Sequence, residues 1–97
     1  MTGKFERLEV QHNLAAGRFE VQIENHVAVL NYNQRGNMIT FTHTGVPAEL
    51  EGRGIGSQLV HFGLEYARDK ALKVVPFCWF VAGYIERHPE YRSLIKT

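Results

Sequence analysis

The sequence predicts one α/β domain, more closely an α+β domain with a mixed sheet, in which an antiparallel β-meander precedes a β-α-β crossover. Three runs of alternating or β-branched residues, joined by short turns, predict the meander. A glycine-rich loop, an amphipathic segment and a further apolar run predict the crossover, which a short C-terminal helix follows. Since the chain has 97 residues, we expect residues 1–97 to form a single domain.

The first half of the chain holds the three predicted strands of the meander. Residues 19–24 alternate apolar and polar side chains, residues 26–32 form the next run, and residues 38–46 are rich in β-branched side chains. The cluster Asn-Gln-Arg-Gly-Asn at 33–37 is typical of a turn. Residues 5–13 fit either a short strand or a leader that pairs loosely with the sheet.

The second half of the chain holds the predicted crossover. Pro47 ends the third strand because proline cannot donate to a ladder. From Ile55 onward, apolar residues recur at helical spacing and form a broad stripe, which predicts a helix lying against the sheet. Residues 72–77 predict a fourth strand, parallel to the third. Residues 79–87 then predict a short helix, because the residue before Pro89 is steered away from helical geometry.

Composition excludes several classes of function. The net charge is +1 with acidic and basic residues interleaved, so we expect no nucleic-acid partner. No apolar run approaches the ~20 residues of a membrane span, and the N-terminus lacks the apolar core of a signal peptide. The single cysteine forbids an internal disulfide. We therefore expect a cytoplasmic protein, a monomer or weak homodimer, without a metal site, since paired His or Cys spacing is absent.

The most informative segment is the loop that opens the predicted long helix. Gly52, Gly54 and Gly56 stand at alternate positions, and such a bare backbone at a helix N-terminus can bind phosphate oxygens. The alternative is a tight turn that needs glycine only for positive φ. No Lys precedes Ser57, which excludes a nucleotide-triphosphate loop. A dinucleotide fingerprint fails because Ser57 replaces its third glycine and no carboxylate ends the following strand.

Four segments together resemble a known family. Gly54-Ile55-Gly56 matches the glycines of the coenzyme A loop Arg/Gln-x-x-Gly-x-Gly/Ala, although Glu51 stands at the Arg/Gln position. THTGVP at 42–47, LKVVPFC at 72–78 and FVAGYIERHPEY at 80–91 complete the pattern. Over residues 17–95 the chain resembles the small single-domain branch of the GNAT-type N-acetyltransferases. The resemblance implies a GNAT-like fold and acetyl-CoA (coenzyme A) as co-substrate.

The same resemblance implies where coenzyme A would lie. Two neighbouring parallel strands would splay apart, and their unpaired backbone groups would bind the pantetheine arm. The pyrophosphate would bind the amides of the glycine loop. The implied cofactor-binding residues are Thr44, Gly45, Val46, Gly52, Arg53, Gly54, Ile55, Gly56 and Ser57.

Two residues are candidates for catalysis. Cys78 precedes a predicted helix, where a thiol can have a lowered pKa and act as a nucleophile; the alternative is a small buried hydrophobe. His43 could be the general base or the activator of the thiol. Strict alternation instead gives His43 the same face as Phe41, as a histidine packed in the sheet.

The remaining candidates concern the acceptor. His88 and Tyr91 could line its pocket, although Tyr91 could equally cap the core. Phe77, Trp79 and Phe80 are assigned first to packing and second to acceptor binding.

Three functions follow. The first is an N-acetyltransferase acting on a primary amine of a small molecule or protein, either through an acyl-Cys78 intermediate or by direct attack of the amine. The second is a module that binds coenzyme A without turnover. The third is a small interaction domain in which the glycine loop is only a turn.

Overall fold

A computed structural model of the chain describes residues 8–96, and residues 1–7 and 97 lie outside the described part. The beginning of the segment 5–13 is therefore not described. In chain order, the elements are β1 (Gln11–Asn13), β2 (Arg18–Ile23), β3 (His26–Arg35), β4 (Met38–Gly45), a 3-10 turn (Ala48–Leu50), α1 (Ile55–Asp69), β5 (Lys73–Val75), α2 (Trp79–Arg87) and a 3-10 segment (Pro89–Leu94).

The strands form one mixed sheet in the order β1-β2-β3-β4-β5. Strands β1 to β4 pair antiparallel, and β5 pairs parallel to β4 after the α1 crossover. The predicted meander, crossover and short C-terminal helix are confirmed. Of the two alternatives for residues 5–13, the strand is correct for Gln11–Asn13, which pairs with residues 18–20.

Strand β3 is longer than the sequence indicates. It continues to Arg35, so most of the segment 33–37 is strand and not turn. The pair Arg35↔Met38 extends the ladder directly to the two-residue turn. Gly36 makes this possible, because its φ of 56° suits a tight two-residue connection. The polar side chains of this segment predict a turn, but they are equally compatible with the exposed end of a strand.

Strand β5 is shorter than the sequence indicates. It covers Lys73–Val75 and not all of residues 72–77. Lys73 and Val75 face β4 by alternation, so the next amide due to bond it is that of Phe77, which instead turns back to donate to the carbonyl of Val75 (2.9 Å). The early end of β5 opens a gap beside β4.

One face of the sheet is apolar and packs against α1. Register places Phe19 opposite Leu30 and Ile39 opposite Val74, so that these side chains share this inner face. The inner-face residues Phe19, Val21, Ala28, Leu30, Ile39, Phe41 and Val74 are all buried. The buried stripe of α1 consists of Ile55, Gly56, Leu59, Val60, Gly63, Leu64 and Ala67. The amphipathic helix predicted from residue spacing therefore covers the sheet as expected.

Gly63 brings α1 unusually close to the sheet. A Cβ at this position would lie 2.9 Å from Leu30 Cδ2 and 3.0 Å from Phe41 Cε1. Both neighbours are fully buried, so neither can move aside cheaply. The glycine is in a helix interior because the packing there leaves no room for a side chain.

The C-terminal segment covers the remaining surface of α1 and the edge of β5. Tyr91 is buried, and its hydroxyl donates to Glu65 on α1 (2.5 Å) and lies 3.0 Å from Nδ1 of His61. The amide of Lys96 donates to the carbonyl of Val74 (2.9 Å). Within residues 8–96, none of the helices combines the length and the apolarity that crossing a bilayer requires.

Two glycine-to-alanine substitutions should have opposite effects on stability. Gly63→Ala should lower the free energy of unfolding by about 1 kcal/mol net, because overpacking outweighs the gain in helix propensity. Gly83→Ala, in α2, should raise it by about 0.5–1 kcal/mol, because its Cβ would meet only Arg87 Nη1 at an ordinary 3.5 Å. Urea denaturation measures both values. Equal effects of the two substitutions would contradict this account of α1 packing.

Candidate functional site

The site lies where β4 and β5 separate. The two strands pair only along residues 38–40 and 73–75. Beyond this point the amide of Cys78 donates to the carbonyl of Phe41 (2.9 Å). Within the described chain, no strand pairs with β4 on this side after that bond. Residues 42–45 therefore form an edge without a strand partner, along which the amide of Thr44 contacts the sulfur of Cys78.

A cavity of about 630 Å³ opens at this gap, a volume within the range of small-molecule sites. Its three walls are the end of β4, the loop that leads into α1, and the connection from β5 to α2. The lining residues are Thr42, His43, Thr44, Val46, Leu50, Glu51, Gly52, Gly54, Ile55, Gly56, Ser57, Phe77, Cys78, Trp79 and Phe80. The glycine loop and Cys78, far apart in sequence, therefore share one cavity.

The loop wall has the backbone geometry of an anion site. Gly52 and Gly54 have φ values of 84° and 75°, which glycine adopts readily and other residues rarely. Gly54 caps α1 without a side-chain hydrogen bond, and within the described residues the first-turn amides of Gly56 and Ser57 donate to no backbone carbonyl. Helix N-terminal amides without partners attract anions. The positive φ values confirm the turn interpretation, and the anion interpretation stays a prediction that this geometry permits.

Gly56 has a further steric role. A Cβ at this position would lie 3.0 Å from Cζ of Phe80. The glycine lets the first turn of α1 approach the first turn of α2, which brings the loop and the connection to α2 together around the cavity.

The environment of Cys78 favours the thiolate. The residue is 8% exposed and begins α2 as its N-cap. Burial opposes ionisation, but the hydroxyl of Thr44, 3.5 Å from the sulfur, the first-turn amides of Val81 and Phe80, and the amide of Thr44 together outweigh it. The pKa of the Cys78 thiol is therefore lowered from its ordinary value, as expected for a thiol at a helix N-terminus.

A β-bulge determines which residues of β4 face Cys78. The pairs Tyr32↔Phe41 and Asn31↔His43 leave Thr42 as the extra residue. Alternation is thereby reversed: His43 does not share the face of Phe41, and the packed-histidine interpretation is wrong. His43 is exposed and lines the cavity, while Thr44, opposite Leu30, contacts Cys78.

Four candidate residues do not line the cavity: Gly45, Arg53, His88 and Tyr91. Gly45 and Arg53 are absent from the lining although their neighbours belong to it. The ring of His88 stacks on Tyr84 at 4.0 Å, and its Nδ1 lies 2.9 Å from the carbonyl of Tyr84.

Tyr91 also lies away from the cavity lining. Burial, together with the carboxylate of Glu65 that accepts its hydrogen bond, raises the pKa of its hydroxyl. Its observed contacts are those of a residue that caps the core.

The sequence does not predict how exposed two of the three clustered aromatic residues are. Phe77 is 77% exposed and Trp79 is 82% exposed, and both line the cavity. Their assignment to packing is therefore wrong, whereas Phe80 does pack partly against the core. The alternation Phe77, Cys78, Trp79 was the available signal, since a buried Cys78 turns its two neighbours outward. The structure adds Thr42, Leu50 and Glu51 to the lining.

No cluster of three or more His, Cys, Asp or Glu side chains within residues 8–96 has a geometry that could hold a metal ion.

Comparisons with known proteins agree on the family that the chain resembles. Residues 18–94 match the sequence profile of the family described as GCN5-related N-acetyl-transferase. Protein NATD1 of Gallus gallus is 31% identical over 85 residues, which cover 84% of this chain and 77% of that protein. Protein NATD1 of Homo sapiens is also 31% identical over 85 residues, which cover 75% of its length.

A solved structure resembles the whole fold. The solution NMR structure of a GCN5-like protein from Staphylococcus aureus superposes with a TM-score of 0.73 at 29% identity, covering 92% of this chain and 88% of that one. The fold is therefore GNAT-like, as the sequence predicts. The chain belongs to the family of GCN5-related N-acetyltransferases.

Proposed function

We propose that this chain transfers an acetyl group from acetyl-coenzyme A to a primary amine. The single observation that carries the proposal is the meeting of the glycine loop and Cys78 on one cavity beside the free edge of β4. This arrangement offers a site for a diphosphate, an edge for an extended amide-containing arm and a reactive thiol.

Coenzyme A fits the residues of two walls. The amides of Gly54, Gly56 and Ser57 would hold the pyrophosphate, and the hydroxyl of Ser57 would add a donor. The backbone of residues 44–46 would bind the pantetheine arm in the manner of an added strand. Acetyl-coenzyme A would supply an activated thioester when bound.

Cys78 is proposed as the nucleophile. Its thiolate attacks the acetyl carbonyl carbon, a new S–C bond forms, and the bond to the sulfur of coenzyme A breaks, so that coenzyme A leaves as a thiolate and takes a proton from solvent. The neutral amine then attacks the acetyl-cysteine, and Cys78 leaves as a thiolate. His43, on the same cavity, accepts the proton that the amine loses.

Intact mass spectrometry after incubation with acetyl-coenzyme A, without acceptor, tests this route. We expect one added acetyl group on the wild type and none on Cys78→Ser, with amine-dependent release of free thiol lowered about 100-fold in the variant. Cys78→Ser that keeps full activity, with no adduct on the wild type, would establish direct attack by the amine. Binding of coenzyme A without any turnover would establish a binding module.

A second test uses the contact between Thr44 and Cys78. Thr44→Val removes a hydroxyl that stabilises the thiolate, so the pKa of Cys78 should rise and alkylation by iodoacetamide should begin at higher pH. At neutral pH the variant should react several-fold more slowly, because its thiolate fraction is smaller. Thr42→Val is the matched control, since its hydroxyl bonds to Asn31 and not to Cys78. An unchanged pH profile in Thr44→Val would remove this role of Thr44.

A third test concerns the carboxylate of Glu51 beside the loop. Glu51→Gln should tighten binding of coenzyme A about threefold at low salt, because one negative charge near the phosphates is removed. The gain should shrink as ionic strength rises. Glu49→Gln is the control, because Glu49 is exposed but does not line the cavity. Isothermal titration calorimetry at two salt concentrations gives both affinities, and equal effects of the two substitutions would contradict the placement of phosphate at the loop.

A further inference from the structure

Two exposed aromatic rings flank the buried Cys78. Phe77 and Trp79 are its immediate neighbours in sequence, and each leaves more than three quarters of its surface in water. Both rings line the cavity together with Cys78, which is itself buried. Neighbouring exposed rings that line one cavity form a contiguous apolar patch of the kind found in ligand-binding grooves.

The wall that carries these rings has no charged side chain. Residues 77–80 read Phe-Cys-Trp-Phe, and the facing wall contributes Thr42, His43 and Thr44. Glu51 is the sole carboxylate among the lining residues, and it follows the 3-10 turn at the loop. A second ammonium group placed against the rings would lose hydration without gaining a carboxylate partner.

We propose that Phe77 and Trp79 form the acceptor subsite and select a primary amine carried on an apolar body. The inference rests on the proposed function, because it takes the amine to react at Cys78. The apolar body would cover the two rings, and the amine nitrogen would reach the sulfur between them. A polyamine or an amino acid carries charge where this wall has none to match it.

A second copy of the chain is a poorer occupant of the same surface. The two rings leave on the order of 300 Å² exposed, whereas a stable interface needs roughly 800 Å² from each partner. The other large apolar side chains exposed in the described chain, Leu14, Val27 and Phe62, do not line this cavity.

Trp79 is the only tryptophan in the sequence, so intrinsic fluorescence reports directly on this subsite. We would titrate the protein, saturated with coenzyme A, with hexylamine and separately with 1,5-diaminopentane. The two amines differ by the exchange of a terminal methyl group for an ammonium group. We expect a saturable change of Trp79 emission, with hexylamine binding at least about tenfold more tightly.

Two variants test whether hexylamine binds at the subsite formed by Phe77 and Trp79. Phe77→Ala keeps the fluorophore and should weaken hexylamine binding about tenfold, because one ring of the subsite is lost. Leu14→Ala removes an apolar side chain that is also exposed, at 69%, but lies outside the cavity, and it should bind hexylamine as the wild type does. Both substituted residues are largely exposed, so thermal melting should differ little among the three proteins.

The outcomes separate this inference from the proposed function. Equal affinity for the two amines, no saturable change with either, or wild-type affinity in Phe77→Ala would overturn the apolar acceptor subsite. The thermal shift caused by coenzyme A is measured on the same samples and tests the proposed function separately. A normal shift without amine selectivity rejects only the subsite. Amine selectivity without a shift rejects binding of coenzyme A, and with it the proposed donor, and leaves the apolar amine subsite supported.

Discussion

The hydrogen bond from the Cys78 amide to the Phe41 carbonyl determines where the sheet ends and the cavity begins. It is the last backbone link between β4 and the chain that follows β5. The amide of Phe77, which would continue the ladder, donates to the carbonyl of Val75 instead, and the amide of Cys78 takes its place on Phe41, so the end of the ladder and the position of the thiol have the same cause. The bond also fixes Cys78 at the start of α2, where the first-turn amides lower the pKa of the thiol. Fold and chemistry therefore depend on one short connection.

The bulge in β4 and the glycines of α1 adapt the fold to this connection. The extra residue at Thr42 turns Thr44 toward the sulfur and His43 toward the exposed side of the cavity. Gly63 seats α1 on Leu30 and Phe41, and Gly56 admits the ring of Phe80. Without these close approaches, the loop that opens α1 would stand further from Cys78. The loop that opens α1 and the connection from β5 to α2 lie close together because glycines stand where the helices contact their neighbours.

Much of this arrangement could be predicted from the sequence, and the failures have physical causes. Periodicity identified the meander, the long helix and the crossover, because each buries one regular face. It misplaced His43, since a bulge reverses alternation without a local sequence signal. It overlooked the exposure of Phe77 and Trp79, because aromatic residues usually pack. It also ended β3 too early, because the polar residues near its end are equally compatible with a strand and a turn.

The central claim is that the backbone amides of residues 52–57 receive a diphosphate. Backbone amide NMR of the labelled protein during titration with coenzyme A tests it most directly. The account predicts saturable shifts of the amides of Gly54, Gly56 and Ser57, together with residues 42–45 along the free edge of β4. Saturable binding that leaves the chemical shifts of these amides unchanged, and shifts the amide signals of another surface, would contradict it.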